Sequence, residues 1–404
     1  MGSRVIGVGL TGKSLTELEK MILRQTPPWA VVLFGRNVGT AEELRELVRE
    51  CKSQSDRPPL IMIDQEGGRV DRLRTLLPGL PAAESFLANE ATRGMAREYG
   101  RVLGAALRWF DIEINLAPVV DIQREEPTRG LERRCFGTDA ETVIQLAGDF
   151  VRGQSSAGTA SCLKHFPGIS RGSGDPHYGT TLVDLSLEEL KAADLRPYME
   201  LGKIAPAVMV GHATYPQIDD RRTPASLSYQ ITTGVLRDVV GFDGLAVSDD
   251  MEMHAVSDLG TWEEITDQAL LAGNDIVLFC SHIERVPDLM QHMVKRAAGD
   301  PFFAPRLVEA NRRAEEYLRF MANLRRDNPP LVDSYEELEE MVGRFLDEFD
   351  RAGGEVSHVK PLPPRGFSDR RTYPRFRSDG TIEDRREDER EKGGTGPTGR
   401  EEWT

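Results

Sequence analysis

Eight short, near-continuous apolar runs separated by longer amphipathic stretches limit what this chain can fold into. The runs are Val5–Leu10, Ala30–Gly35, Leu60–Gln65, Ile114–Val119, Cys162–Phe166, Ala207–His212, Gly244–Asp249 and Asp275–Cys280. A strand wet on one face alternates apolar and polar side chains. A run without alternation suits a parallel strand covered on both faces. The intervening stretches repeat apolar residues at helical spacing: Ala41–Gln54, Met95–Phe110, Ala140–Arg152, Leu187–Leu201, Thr233–Val240, Trp262–Ala272 and Val286–Ala297. Thr40 before the first of these, with Glu43 three residues on, forms a capping-box signature. Eight strands alternating with helices predict an α/β fold, a single (β/α)8 TIM barrel. An open doubly wound sheet would carry a glycine fingerprint after its first strand and an acidic residue about twenty positions later. Here GVGLTGK follows loosely and the acidic residue is not in place.

The barrel is expected over residues 1–325. A C-terminal helical extension follows over 326–351, with Tyr335, Leu338, Val342, Phe345 and Phe349 on one stripe that suits covering apolar barrel surface. Residues 352–404 are rich in Pro, Gly, Arg and Glu and read as a disordered charged tail, because they cannot bury enough apolar area to offset ordering entropy. Such a tail also accounts for a hydrophobic content of only 39% in a chain with a large core.

A formal net charge of −15 argues against nonspecific nucleic-acid binding, which needs basic surface. The four cysteines, Cys51, Cys135, Cys162 and Cys280, are scattered without a CxxC pair, which disfavours a disulfide framework or a structural zinc. No HxH or HExxH spacing appears, so neither metal nor cofactor is expected. The opening MGSRVIGVGL lacks a signal-peptide core, and no 18-residue apolar stretch exists to insert in a membrane. The expectation is a cytoplasmic protein, a monomer or a weak homodimer.

Polar residues collect where barrel chemistry sits, at strand C-terminal ends. The third run ends in Asp64-Gln65-Glu66-Gly67-Gly68-Arg69 and the fourth leads to Pro118 and Asp121. The fifth ends in Lys164-His165, the sixth in His212 and the seventh in Ser248-Asp249-Asp250. Converging charges lose hydration and repel unless a ligand or a reaction uses them. Lys164 invites an imine-forming role, but beside His165 and a Pro-Gly turn a hydrogen-bonding lysine fits better. The Gly-rich segment after the fifth run places Asp175 two residues before His177, a spacing at which a carboxylate can set a histidine's tautomer for acid/base work.

Six motifs then occur in order: IDQEGGRVDRL, LAPVVDI, RRCFGTD (Arg133–Asp139), CLKHFPG, DPH and GFDGLAVSDDMEM (Gly241–Met253). Over roughly Val5 to Leu324 the chain resembles glycoside hydrolase family 3, in particular its bacterial single-barrel β-N-acetylhexosaminidases. The resemblance implies a retaining exo-β-N-acetylglucosaminidase acting on small N-acetylglucosamine-containing glycans such as peptidoglycan fragments, through a covalent glycosyl-aspartate. It assigns Asp249 as nucleophile and His177, paired with Asp175, as acid/base. It assigns Asp64, Arg134, Lys164 and His165 to sugar binding, with Arg69, His212 and Asp250 as support. The chain departs from the family pattern at Ile169-Ser170, where His-Gly is usual, and at Asp-Pro-His, where Asp-Ser-His is usual. Two other readings of the same barrel are a β-N-acetylglucosaminide phosphorylase and a catalytically inactive sugar-binding protein with the tail as docking arm.

Overall fold

The computed structural model describes residues 4–125, 128, 130–172 and 181–356. Eight parallel strands close into a barrel in chain order: β1 Ile6–Gly9, β2 Ala30–Leu33, β3 Leu60–Ile63, β4 Ile114–Asn115, β5 Ala160–Phe166, β6 Ala207–Val210, β7 Leu245–Asp250 and β8 Ile276–Phe279. Closure is made by β8 on β1, with Ile6 opposite Val277 and Val8 opposite Phe279. The (β/α)8 expectation holds, and each strand lies inside or within two residues of its apolar run.

The helices are α1 Glu17–Gln25, α2 Ala41–Ser53, α3 Glu90–Gly94, α4 Ala96–Trp109, α5 Ala140–Ser156, α6 Leu187–Ala192, α7 Arg196–Leu201, α8 His254–Ser257, α9 Trp262–Ala272, α10 Val286–Gly299, α11 Phe303–Asp327 and α12 Tyr335–Arg351. The capping box expected at Thr40 is present: Glu43 N–H donates to Thr40 Oγ1 at 3.2 Å and Thr40 N–H to Glu43 Oε2 at 2.7 Å. The single helix expected over Leu187–Leu201 is two, because Pro197 has no N–H to continue the ladder and instead sits at the start of α7. The helix expected over Thr233–Val240 is a π-helix, Gln230–Val239. Helix α1 was not foreseen, although Thr16 and Glu19 form a capping box at its start.

Inside the barrel, Val32, Met62, Ile114, Leu116, Cys162, Met209, Val247 and Leu278 interdigitate. Trp29, just before β2, meets Tyr317 of α11 edge-on at 5.6 Å. Ala314, Tyr317 and Met321 of α11 thus close the barrel end opposite the strand C-termini. The stripe on α12 is buried as expected, Phe345 stacking on Tyr99 of α4 at 5.5 Å and Phe349 packing on Phe86 at 4.7 Å. Fully burying each such side chain stabilises by about 1.5–3 kcal/mol. All four cysteines are free and buried. Among the described residues no helix is long and apolar enough to cross a membrane. The expected disordered tail lies outside the described residues from position 357 onward.

Candidate active site

Beyond β3 the chain turns sharply through Asp64-Gln65-Glu66-Gly67-Gly68. Gln65 pins the turn: its N–H donates to Asn115 Oδ1 at 3.0 Å and its side-chain amide to Asp71 Oδ1 at 2.8 Å. Gly67 has φ +93°, and a Cβ there would lie 2.1 Å from the Tyr99 hydroxyl. That hydroxyl donates to the Glu66 carbonyl at 3.0 Å, so only glycine fits between them. The outcome is a fixed pair of carboxylates, Asp64 and Glu66, both reaching Lys164 of β5.

Lys164 is 2% exposed and its ammonium lies 2.6 Å from Asp64 Oδ1 and 2.7 Å from Glu66 Oε1. Arg134 forks onto Glu66, with Nε to Oε2 and Nη2 to Oε1 both at 2.8 Å, while its Nη1 donates to the Gly130 carbonyl at 2.8 Å. Burial alone would push the Glu66 carboxyl up, but Lys164 and Arg134 outweigh it and hold it down at about 2. Burial alone would push the Lys164 amine down, but Asp64 and Glu66 raise it above its ordinary value. Held between two carboxylates, the Lys164 ammonium presents hydrogen-bond donors. Arg72, eight residues past Asp64, brings Nη2 to 3.9 Å from Asp64 Oδ2, and its Nε is buried without a partner among the described residues.

From the other side, β7 carries Asp249. Burial opposes its charge, but His212, His165, the Asp250 N–H at 2.8 Å from Oδ1, and Lys164 together hold it below the usual carboxylate range. It is therefore an anion at neutral pH. His212 is fixed between Ser226 Oγ at 2.8 Å and the Asp250 carbonyl at 2.9 Å. A carbonyl only accepts, so its Nε2 carries the hydrogen. Asp250 turns away from Asp249: its Oδ1 accepts from Glu252 N–H at 3.1 Å and Cys280 N–H at 3.2 Å. Burial, Glu252 and Asp249 push its carboxyl up to about 6. Its two backbone bonds join the β7 and β8 ends.

His165 follows Lys164 through a cis peptide. Its Nδ1 lies 2.9 Å from Asp121 Oδ2. Arg69, expected as support, is exposed and paired with Glu132 at 2.8 Å. Asp175 and His177 lie outside the described residues, as do the other positions of 173–180. The stem before them is described. Ser170 Oγ donates to the buried Asp194 at 3.3 Å, and Ile169 packs partly buried against Val119, Leu131 and Cys135.

Of the expected sugar-binding residues, Asp64, Arg134 and Lys164 thus converge in one charged cluster, while the His165 ring bonds Asp121; Asp249, expected as nucleophile, is within electrostatic reach of Lys164, His165 and His212. Glu66, Asp121 and Arg72 join them without having been assigned roles from sequence. Glu66 and Asp121 stood in the motifs that marked the strand ends, and Arg72 stood in IDQEGGRVDRL. Fixed ammonium, guanidinium and carboxylate groups around one mouth present directional donors and acceptors, which suits a hydroxyl-rich ligand.

Residues 9–300 match the family described as Glycosyl hydrolase family 3 N terminal domain. A beta-hexosaminidase of Haemophilus influenzae is 34% identical over 305 residues, which cover 74% of this chain and 85% of that one. A glycoside hydrolase family 3 beta-N-acetylglucosaminidase from a Paenibacillus species superposes with a TM-score of 0.74 at 27% identity, over 85% of this chain and 67% of that one. NagZ from Neisseria gonorrhoeae, solved in complex with N-trifluoroacetyl-D-glucosamine, superposes with a TM-score of 0.67 at 27% identity, over 85% of this chain and 98% of its own.

Proposed function

Since the chain belongs to glycosyl hydrolase family 3, we propose that it is a retaining exo-β-N-acetylglucosaminidase. It removes terminal, non-reducing N-acetylglucosamine from small glycans such as peptidoglycan fragments. The observation that carries this reading is the ionised Asp249 at the end of β7, within electrostatic reach of Lys164 in its cluster with Asp64, Glu66 and Arg134. The names of the relatives, and the N-acylated glucosamine held by the Neisseria protein, support the choice of sugar.

In the first step Asp249 attacks the anomeric carbon as the bond to the aglycone oxygen breaks. His177, oriented by Asp175, gives that oxygen its proton. Water then attacks the same carbon, His177 takes its proton, and the ester to Asp249 breaks, so the product keeps its β configuration. Lys164, His165, Arg134 and Asp64 hold the ring hydroxyls throughout. Four buried free thiols fit a reducing compartment, and we assign the activity to the cytoplasm.

The test is release of 4-nitrophenol from its β-N-acetylglucosaminide and its β-glucoside by the wild type, Asp249→Ala and His177→Ala, with and without phosphate. Turnover of the N-acetyl substrate alone, lost in Asp249→Ala, supports the reading. A rate that requires phosphate makes the protein a phosphorylase. No turnover by a folded protein makes it a binding barrel.

A further inference from the structure

Asp121 is 1% exposed, lies on the segment after β4, and takes no direct part in the mechanism above. Its carboxylate nonetheless meets three donors from the β5 end. Oδ2 accepts from the His165 ring at Nδ1, 2.9 Å away, and from the His165 backbone N–H at 3.2 Å. Oδ1 accepts from the Ile169 N–H at 2.7 Å. The carboxylate itself is held in place by main-chain bonds across the two strands, Val120 N–H to the Lys164 carbonyl at 2.8 Å and Lys164 N–H to the Pro118 carbonyl at 3.2 Å.

A carboxylate can only accept, so the His165 hydrogen is fixed on Nδ1 and the opposite edge of the ring, Nε2, is left for the mouth. We propose that Asp121 is the positioning residue of the sugar-binding His165, setting both its tautomer and its ring orientation so that Nε2 meets a sugar hydroxyl. This rests on the hexosaminidase reading. Three donors on two oxygens leave no isosteric substitute: an asparagine has one accepting oxygen, so it must either turn an N–H against Ile169 or present one to His165 and drive the ring to the other tautomer.

The experiment is a double-mutant cycle on the full chain with Asp121→Asn, His165→Ala and both together, measured with 4-nitrophenyl β-N-acetylglucosaminide. An outer residue that orients a ligating histidine typically contributes about 10- to 100-fold to affinity or activity. We expect Asp121→Asn to lower kcat/KM by about that factor, chiefly through KM, since His165 grips the sugar before and during reaction. In the His165→Ala background the same change should cost less than about twofold, because the group it acts through is gone. Wild-type kcat/KM in Asp121→Asn, or the full loss repeated in the His165→Ala background, overturns the proposal. A second measurement does not depend on turnover. In long-range proton–nitrogen spectra, with His165 identified by its absence from His165→Ala, the wild type should show the Nδ1–H tautomer and Asp121→Asn should lose it. Unchanged imidazole signals overturn the proposal even if the wild type turns over nothing, an outcome that would by itself end only the hexosaminidase reading.

Discussion

Replacing Glu66 by Gln removes the one negative charge shared by Lys164 and Arg134 while keeping the side chain's size. In the native cluster the carboxyl is held at about 2, against an ordinary value of 4.5. That difference corresponds to about 3 kcal/mol of stability at neutral pH, in the range of about 3–5 kcal/mol for breaking a buried pair by deleting one partner. Because the folded value is depressed, the contribution is complete above about 4.5 and is lost as pH falls toward 2. By pH 3.5 about 1.4 kcal/mol of it has gone. Thermal unfolding of wild type and Glu66→Gln should therefore differ by about 4–5 °C at pH 7, and the gap should narrow at pH 3.5. A gap below about 1 °C at pH 7, or one as wide at pH 3.5 as at pH 7, would refute the charge argument. The variant should also bind N-acetylglucosamine more weakly, because Lys164 and Arg134 lose the group that aims them.

Three further outcomes follow from the same geometry. Gly67→Ala, at φ +93° and against the Tyr99 hydroxyl, should destabilise by about 1–3 kcal/mol or more in urea unfolding, and a neutral result would show that the β3 turn is not pinned as described. Asp250→Asn should stabilise the protein at pH 7.5. Its carboxyl is raised from 3.8 to about 6 in the fold, so its ionisation opposes folding above 6 and not below 3.8. The gain is about 2–3 kcal/mol at pH 7.5 and mostly gone at pH 4, and an equal gain at both values contradicts the assignment. Arg72→Met should raise KM about tenfold, the loss of one charged hydrogen bond, with Tm within about 2 °C of wild type. An unchanged KM would place Arg72 outside the sugar site.

The barrel was legible because its strands are buried on both faces and so lack alternation, as in Leu60–Ile63 and Ala207–Val210. Helix α1 was passed over because GVGLTGK reads as loop, though the Thr16–Glu19 box marked its start. The break between α6 and α7 was written in Pro197. Within the site, Asp64, Arg134 and Lys164 were named and do converge. Which carboxylate clamps Lys164 and Arg134 together could not be read, because the answer depends on the turn at Gly67 and on the approach of a segment near position 134 in tertiary space. The same holds for Arg72, which returns to Asp64 only after the Gly67-Gly68 turn, and for Asp121, whose partner His165 lies 44 positions away. A cis Lys164–His165 peptide has no signature in sequence.

As the proposed nucleophile, Asp249 should form a covalent bond to the anomeric carbon of N-acetylglucosamine. Incubation with a 5-fluorinated β-N-acetylglucosaminyl fluoride slows turnover of the glycosyl-enzyme enough to isolate it, and tandem mass spectrometry of a digest locates the sugar. One glycosyl unit per chain is expected, on the carboxylate of Asp249. A sugar carried by any other residue, or hydrolysis of the reagent with inversion and no labelled protein, would contradict it.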